Sequence, residues 1–427
     1  MIYEPLGKFV TLSQGLAVNK GTAHLFSDLK TDEFIYPLLR IVDLEKGNHT
    51  VFSKYVTKDI QKNVVITEDT IVFSRVTCQC FRGFSGVVHN NLFVVKLISD
   101  FIDKDYLFTI LQSNFVKNQA LKLAQSSVVP DLTHDMFKSI IIPVPDKETQ
   151  HNIANAYLLL SSKIDLNIKI CNELELMAKT LYDYWFTQFD YPNEEGKPYR
   201  SSGGEMVWND HLKREIPSGW GCSVIANHVG NSKSGDWGKE SATGNYLKEV
   251  ICIRGADFPS INENKTLSAP TRYILEKNAN KVLSSGDIIV EISGGSPTQS
   301  TGRICYINEN TIRRFDKDII TSNFCRAFST KKKTEQYWLY LLWKTLYDAG
   351  VLFGFEGKTT GIKNLLFDDF CAQYKIVCPG EAILEKFHKI VSPIFEKIQQ
   401  YNIENDELTK LRDWLLPMLM NGQATVE

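Results

Sequence analysis

Two long stretches of this chain repeat their apolar positions at alternating steps of four and three. In the first, between about Pro145 and Asp190, the rhythm runs through Ile153, Tyr157, Leu160, Ile164, Asn167, Cys171, Leu174, Ala178, Leu181 and Trp185. Heptad spacing of this kind keeps one seam of a helix facing a partner helix. A run of roughly 40 residues at about 1.5 Å each spans about 60 Å, more than one globular core can surround. Near the C-terminus the rhythm returns through Phe387, Val391, Ile394, Ile398, Tyr401, Asn405, Leu408 and Leu411. The pattern predicts an antiparallel helix pair within the chain. The plainer alternative is two unrelated surface helices that share a period.

Elsewhere the pattern is short. From Leu6 to Pro145, apolar segments such as Ile71–Phe73 and Leu92–Val95 read as buried strands, and Ile140–Val144 as a last strand. Tyr106 to Leu123 reads as one helix, with Leu107, Ile110, Leu111, Phe115 and Val116 at helical separations. Proline, glycine and charge crowd the stretch after Asp190, which predicts a linker. The boundaries are therefore a first domain at 1–145, a helix at 146–190, a linker at 191–219, a second domain at 220–379, and a helix with its tail at 380–427.

The second domain repeats the order of the first. Phe9-Val10 is placed opposite Cys222-Ser223-Val224, which leaves little chain ahead of the first domain. Arg40 in Leu39-Arg40-Ile41-Val42-Asp43 matches Arg254 in Ile253-Arg254-Gly255-Ala256-Asp257. Asp69-Thr70-Ile71-Val72 matches Asp287-Ile288-Ile289, and Asn91 matches Asn323 before the next strand. Each half closes with a short strand, a proline and a long helix. The spacing between matched positions widens along the chain, so loop insertions separate two copies of one scaffold.

Length and composition leave room for this arrangement. A chain of 427 residues with 43% hydrophobic content, 24 Phe, 17 Tyr and 7 Trp can fill more than one core. The formal charge of −2 does not mark a freestanding polyanion binder, although the field over a cleft depends on how the charges are distributed. Nine scattered cysteines read as free thiols in a reducing compartment. No apolar run reaches membrane length, so the expected location is cytoplasmic.

Candidate chemistry points to binding. Gly354-Phe355-Glu356-Gly357-Lys358-Thr359-Thr360 lacks the first glycine of a phosphate-cradling loop, because Leu352 stands where it would be. Lys358 and Thr359 read instead as part of a polar loop available to DNA. Gly294-Gly295 reads either as a turn or as a loop that places amides and Arg303 against phosphates or base edges. No metal-ligand group, nucleophile elbow or paired carboxylates stand out, so no catalytic centre and no metal site are expected. The binding candidates are Arg40, Arg75, Arg82, Lys239, Arg254 and Arg303, with Lys96, Arg313 and Arg314 behind them. Arginine can offer a guanine edge two donors or hold a phosphate with the same fork. A solvated surface charge is the competing reading for each. Two similar modules on a helical spacer suit two stretches of major groove.

The motifs now bring a family with them. Glu173-Leu174-Glu175-Leu176-Met177-Ala178-Lys179-Thr180-Leu181-Tyr182-Asp183-Tyr184-Trp185-Phe186, then Gln188-Phe189-Asp190-Tyr191-Pro192, resemble the end of the central region of type I restriction-modification specificity subunits. Glu215-Ile216-Pro217-Ser218-Gly219-Trp220 and the tail from Leu411 to Gly422 are similar to the same family. The resemblance implies an α+β chain of two similar α/β target recognition domains, joined and separated by two long antiparallel coiled-coil helices. It implies that each domain reads half of a bipartite, asymmetric site on double-stranded DNA. It also implies that the helices set the gap and dock two modification (methyltransferase) subunits. S-adenosylmethionine, ATP and Mg would then belong to the modification and restriction/translocase subunits, with no cofactor and no membrane for this one. A protein scaffold that never touches DNA is the alternative.

Overall fold

The computed structural model describes residues 2–45, 52–61, 64–124, 131–262, 267–294, 296, 299–359, 362–420 and 423. The chain divides into two compact units, Met1–Lys163 with Thr409–Glu427, and Ile164–Leu408.

In the first unit, strand β1 (Ile2–Pro5) pairs antiparallel with β11 (Ile141–Val144). A four-stranded sheet has the order β2 (Val10–Gln14), β10 (Leu92–Leu97), β7 (Ile71–Ser74), β8 (Cys80–Phe81). A five-stranded sheet has the order β3 (Phe26–Ser27), β5 (Tyr55–Thr57), β4 (Phe34–Leu39), β9 (Gly86–Val88), β6 (Val65–Ile66). The pair β4–β9 is parallel. Strands β7 and β10 read as continuous apolar runs because both of their faces are covered. Ile71, Phe73, Phe93 and Val95 join a core with helices α2 (Lys104–Gln112), α3 (Asn114–Ala124) and α4 (His134–Ser139). Val72, Leu92 and Val94 pack the other way, with Leu39 and Val88. A short helix, α1 (Ile41–Glu45), follows β4.

The single helix expected from Tyr106 to Leu123 is two. Ser113 leaves the helical region (φ −65°, ψ 146°). Its hydroxyl donates to the Ile110 carbonyl at 2.6 Å and accepts from the Val116 N–H at 3.2 Å, ending one helix and capping the next.

The second unit repeats these three sheets. Strand β14 (Gly221–Val224) pairs antiparallel with β25 (Lys375–Cys378), as β1 does with β11. A four-stranded sheet runs β15 (Val229–Ser234), β22 (Cys325–Thr330), β18 (Ile288–Glu291), β20 (Ile304–Tyr306), in the order of its counterpart. A third sheet runs β17 (Thr271–Leu275), β16 (Tyr246–Ile253), β21 (Ile319–Thr321), and its β16–β21 pair is again parallel. The layering also recurs. Ile288, Val290 and Phe328 face the core of helices α8 (Gln336–Asp348) and α9 (Phe367–Gln373), while Ile289, Cys305 and Ala327 face Ile251, Ile253 and Ile319. Helices α6 (Phe258–Asn262) and α7 (Glu309–Arg313), β19 (Ser293–Gly294) and the hairpin β23 (Glu356–Thr359), β24 (Ile362–Leu365) complete the unit.

This topology corrects the matching read from sequence. The counterpart of β14 is β1, so Cys222-Ser223-Val224 corresponds to residues of Ile2–Pro5, and Phe9-Val10 corresponds to His228-Val229. The stretch 191–219, expected as a linker, is a folded part of the second unit. It contains the hairpin β12 (Met206–Asn209), β13 (Arg214–Pro217), and Tyr191 stacks on both Tyr199 (4.7 Å) and Trp220 (5.0 Å). Ser201 donates through its N–H and hydroxyl to Asp190 at 2.7 and 2.6 Å, tying the stretch back to the helix end.

The two long helices are α5 (Lys147–Tyr182) and α10 (Glu381–Met420). Asp146 caps α5 by accepting from the Thr149 N–H at 2.9 Å. Beyond Tyr182 a π-turn over Asp183–Thr187 turns Trp185 and Phe186 inward. The helices are antiparallel in both units. In the first unit the Arg412 guanidinium lies 5.5 Å from the Tyr157 ring. In the second, Asn167 donates to Asn405 at 2.8 Å, and Phe387 packs on Phe186 at 4.8 Å and on Trp185 at 5.6 Å. Of the expected seam, Ile153, Tyr157, Asn167, Cys171, Ala178, Trp185, Phe387, Val391, Ile394, Ile398 and Asn405 are buried. Leu160, Ile164, Leu174, Leu181, Tyr401 and Leu408 are half-buried. Leu411 is the correction, at 45% exposure. After Ile398 the buried face takes a step of four to Asn402 and continues through Arg412, Leu416 and Leu419, because a 3.6-residue helix drifts off a strict heptad.

Phe387 is fully buried among these rings, so Phe387→Ala should cost about 3–5 kcal/mol. A chemical-unfolding midpoint equal to that of the parent chain would contradict the packing described.

Candidate nucleic-acid interface

Each unit builds the same corner where its parallel strand pair ends. After β4, the Arg40 N–H donates to the Asp43 carboxylate at 2.9 Å and the Arg40 Nε to the same oxygen at 3.4 Å. After β16, the Arg254 N–H and Nε donate to one Asp257 oxygen at 2.9 and 2.8 Å, and Nη2 to the other at 2.8 Å. The acid three residues on caps the following turn while gripping the arginine. Burial pushes the Asp257 carboxyl up, but its bonds from Arg254 outweigh this and hold it below the usual range. Asp257 in turn raises Arg254.

Beside each arginine the second parallel strand ends in a tight turn. The Leu92 N–H donates to the His89 carbonyl, and the Cys325 N–H to the Ser322 carbonyl, both at 2.9 Å. Three further backbone bonds correspond one to one. His89 N–H reaches Leu39 O as Ser322 N–H reaches Ile253 O, both at 2.9 Å. Leu16 N–H reaches Val88 O at 2.7 Å, as Asp236 N–H reaches Thr321 O at 2.8 Å. Arg75 N–H reaches Asn91 O at 3.2 Å, as Ile292 N–H reaches Phe324 O at 2.9 Å. Gly15 and Gly235 make the approach possible, since a Cβ there would stand 2.2 Å from the Val88 carbonyl oxygen and 1.9 Å from that of Ser322.

Most of the sequence candidates carry acidic partners. Arg75 lies at the same end of its unit as Arg40 and grips Asp131 with two bonds, at 2.6 and 2.7 Å. Arg303 holds Glu291 likewise, at 2.8 and 2.7 Å, and Glu291 raises its pKa. That pair lies under Gly255, where a Cβ would come within 2.3 Å of Glu291 Oε1. Arg82 sits away from this corner, ion-paired with Asp105 and 4.5 Å from the Phe108 ring. Lys239 lies along the outer strands, its N–H on the Tyr273 carbonyl and its ammonium 5.7 Å from the Tyr246 ring. Lys358 and Thr359 fall in β23, which excludes a phosphate loop opening a helix there. Their side chains, with Thr360 and Gly361, lie outside the described residues, as do Gly295, Asn421 and Gly422. Lys96 is exposed on β10. Arg313 pairs with Glu309. Arg314 is structural: its side chain is 1% exposed and donates to Asp406 of α10 at 2.9 Å.

One group of residues gave no sequence signal. His228 is buried, its Nδ1 3.0 Å from Glu335 and its Nε2 3.1 Å from the Ser223 hydroxyl, with the Cys378 sulfur 3.9 Å away. The order Ser–His–Glu has the outline of a hydrolytic triad. Its charge state argues otherwise. Burial lowers the His228 pKa, but the bonds to Cys378 and Glu335 outweigh it and raise the value to about 9. A protonated ring donates to both neighbours and cannot take a proton from serine. The cluster ties β14, β25 and the start of α8 together. Among the described residues no group of His, Cys, Asp and Glu could hold a metal ion, and no helix is long and apolar enough to cross a membrane.

Comparison with known proteins bears out the resemblance read from the motifs. Residues 8–176 match the family described as Type I restriction modification DNA specificity domain. The chain is 25% identical to the type I restriction enzyme MjaIX specificity subunit of Methanocaldococcus jannaschii, over 94% of this chain and 86% of that protein. It is also 25% identical to the HindI specificity subunit of Haemophilus influenzae, over 79% of this chain and 81% of that one. Among solved structures, the fold is similar to a type I restriction-modification S subunit from M. genitalium, with a TM-score of 0.56 at 15% identity, covering 98% and 95% of the two chains.

The His228 cluster carries a pH dependence. Its pKa is higher folded than the ordinary 6.5, so its contribution is complete below pH 6.5 and is lost as pH rises through about 9. The thermal midpoint should fall across that window, by a stability change on the order of a few kcal/mol. His228→Gln should flatten the fall, and an equally steep profile in that variant would contradict the assignment.

Proposed function

We infer that this chain is a specificity subunit of a type I restriction-modification system, which recognises a bipartite DNA site and assembles the modification and restriction subunits on it. It is a non-catalytic subunit. The observation that carries this reading is the repetition, in two units of different sequence, of an antiparallel strand pair, a four-stranded sheet in one strand order and a further sheet that contains one parallel pair. Two divergent copies of one module suit an asymmetric target, because each can present different side chains to its own half-site.

In this reading, residues 1–145 and 220–379 are the two target recognition domains. The helices at 146–190 and 380–427 set the length of the unread gap and offer the docking surface for two modification subunits. Those partners carry the S-adenosylmethionine site and methylate adenine, and the restriction subunit carries ATP- and Mg-dependent translocation and cleavage. The near-neutral charge fits this division, since partner subunits that wrap the duplex supply much of the phosphate attraction. Arg40, Arg75, Arg254 and Arg303 act at the DNA-facing end of each domain, with Lys358 and Thr359 beside them. Arg82 and Lys239 contribute at the flanks. The complex works in the cytoplasm, where the DNA is.

Methylome sequencing of cells with and without the gene tests the reading. Loss of paired methylated adenines in a split motif of fixed gap is expected. An unchanged methylome in cells that express the modification partner would overturn it.

A further inference from the structure

We propose that the two turns at the ends of the parallel strands, Asn90-Asn91 in the first unit and Asn323-Phe324 in the second, are the base-reading positions of the two domains. The inference rests on the DNA-reading function above and names the residues that carry its specificity.

Four observations lead there. The turns are equivalent, since the same pattern of backbone hydrogen bonds holds each one on the neighbouring strands. The correspondence pairs Asn323 with Asn90, and Phe324 with Asn91, shifting by one residue the asparagine match drawn from sequence. A bare glycine, Gly15 or Gly235, is pressed against the base of each turn, so the tip is rigidly placed. The Asn90 N–H and the Asn91 and Phe324 carbonyls are used in that anchoring, yet the side-chain amides of Asn90, Asn91 and Asn323 have no hydrogen-bonding partner among the described residues. Phe324 is 57% exposed, which for a phenylalanine on an otherwise polar tip leaves a large apolar face uncovered.

The arginines beside the turns are differently disposed. Arg40, Arg75, Arg254 and Arg303 each spend donors on a carboxylate of their own unit. Swinging such a fork onto a base edge leaves that carboxylate unpaired, at a cost that offsets much of the gain. They suit phosphate contact and support of the corner. The free amides suit bases: asparagine can donate to N7 and accept from N6 of adenine in one bidentate contact, and an exposed ring packs on a thymine methyl. The second turn, with one amide and one ring, thus reads a different pattern from the first.

The full chain, expressed with its modification subunits, tests this through the methylated motif and duplex binding at fixed salt. Asn90→Ala with Asn91→Ala should relax or change one half-site and leave the other intact, with affinity for the parent site falling roughly 5- to 150-fold. Asn323→Ala with Phe324→Ala should do the same to the other half-site. The half-site that stays intact shows that the variant is folded. Should an alanine pair abolish both halves together, Asn90→Asp and Asn323→Asp keep the shape and replace the donating NH2 with an acceptor, and each should again alter one half only. Both half-sites unchanged in the alanine or the aspartate variants would overturn the inference while leaving the DNA-reading function in place. A parent chain that selects no split motif would remove that function and the inference with it.

Discussion

The antiparallel seam between α5 and α10 is the constraint on which the rest of the molecule depends. Neither helix belongs to one unit alone. Helix α5 gives Ile153, Ala154 and Tyr157 to the core of the first unit and Cys171, Ala178 and Tyr182 to that of the second. Helix α10 does the converse, with Phe387, Val391 and Ile398 in the second core and Leu416, Leu419 and Met420 in the first. Large rings set one end of the seam, where Phe387 meets Tyr182, Trp185 and Phe186. Midway, Asn167 donates to Asn405 and, at 2.9 Å, to Glu404. A polar pair buried among apolar neighbours favours one register, because any slip leaves its amides unpaired.

On this seam the two units solve one folding problem twice. A four-stranded sheet buried on both faces separates a helical layer from the sheet that holds the parallel pair. The parallel pair then brings an arginine corner and a turn to the same end of the unit. Side chains at these tips can vary without disturbing the layers below.

Much of this could be read in the residues, for reasons that differ by element. The seam was legible because heptads are long and local, and it slipped at Leu411 because helical drift shifts the buried face to Asn402. The repeat was legible as an order of elements, but its first strands were mismatched. Ile2–Pro5 is a half-exposed edge strand holding Glu4 and Pro5, with no alternation to mark it. The stretch 191–219 looked like a linker because Tyr191, Tyr199 and Trp220 pack by stacking, which leaves no period. Asp43 and Asp257 stand three residues from their arginines and can be found by eye. The partners of Arg75 and Arg303 lie on other elements, and the His228 cluster joins residues from three separate segments, so neither was available before the fold.

In the proposed function, the length of the helix pair sets the unread gap between the two half-sites. Inserting one heptad into α5 after Lys163 and one into α10 before Thr409 tests it most directly. Seven residues add about 10 Å of helix, or about three base pairs of duplex. The methylated motif should keep both half-sites and gain a gap longer by a few base pairs. An assembled, active complex that still methylates the parent gap would contradict the account.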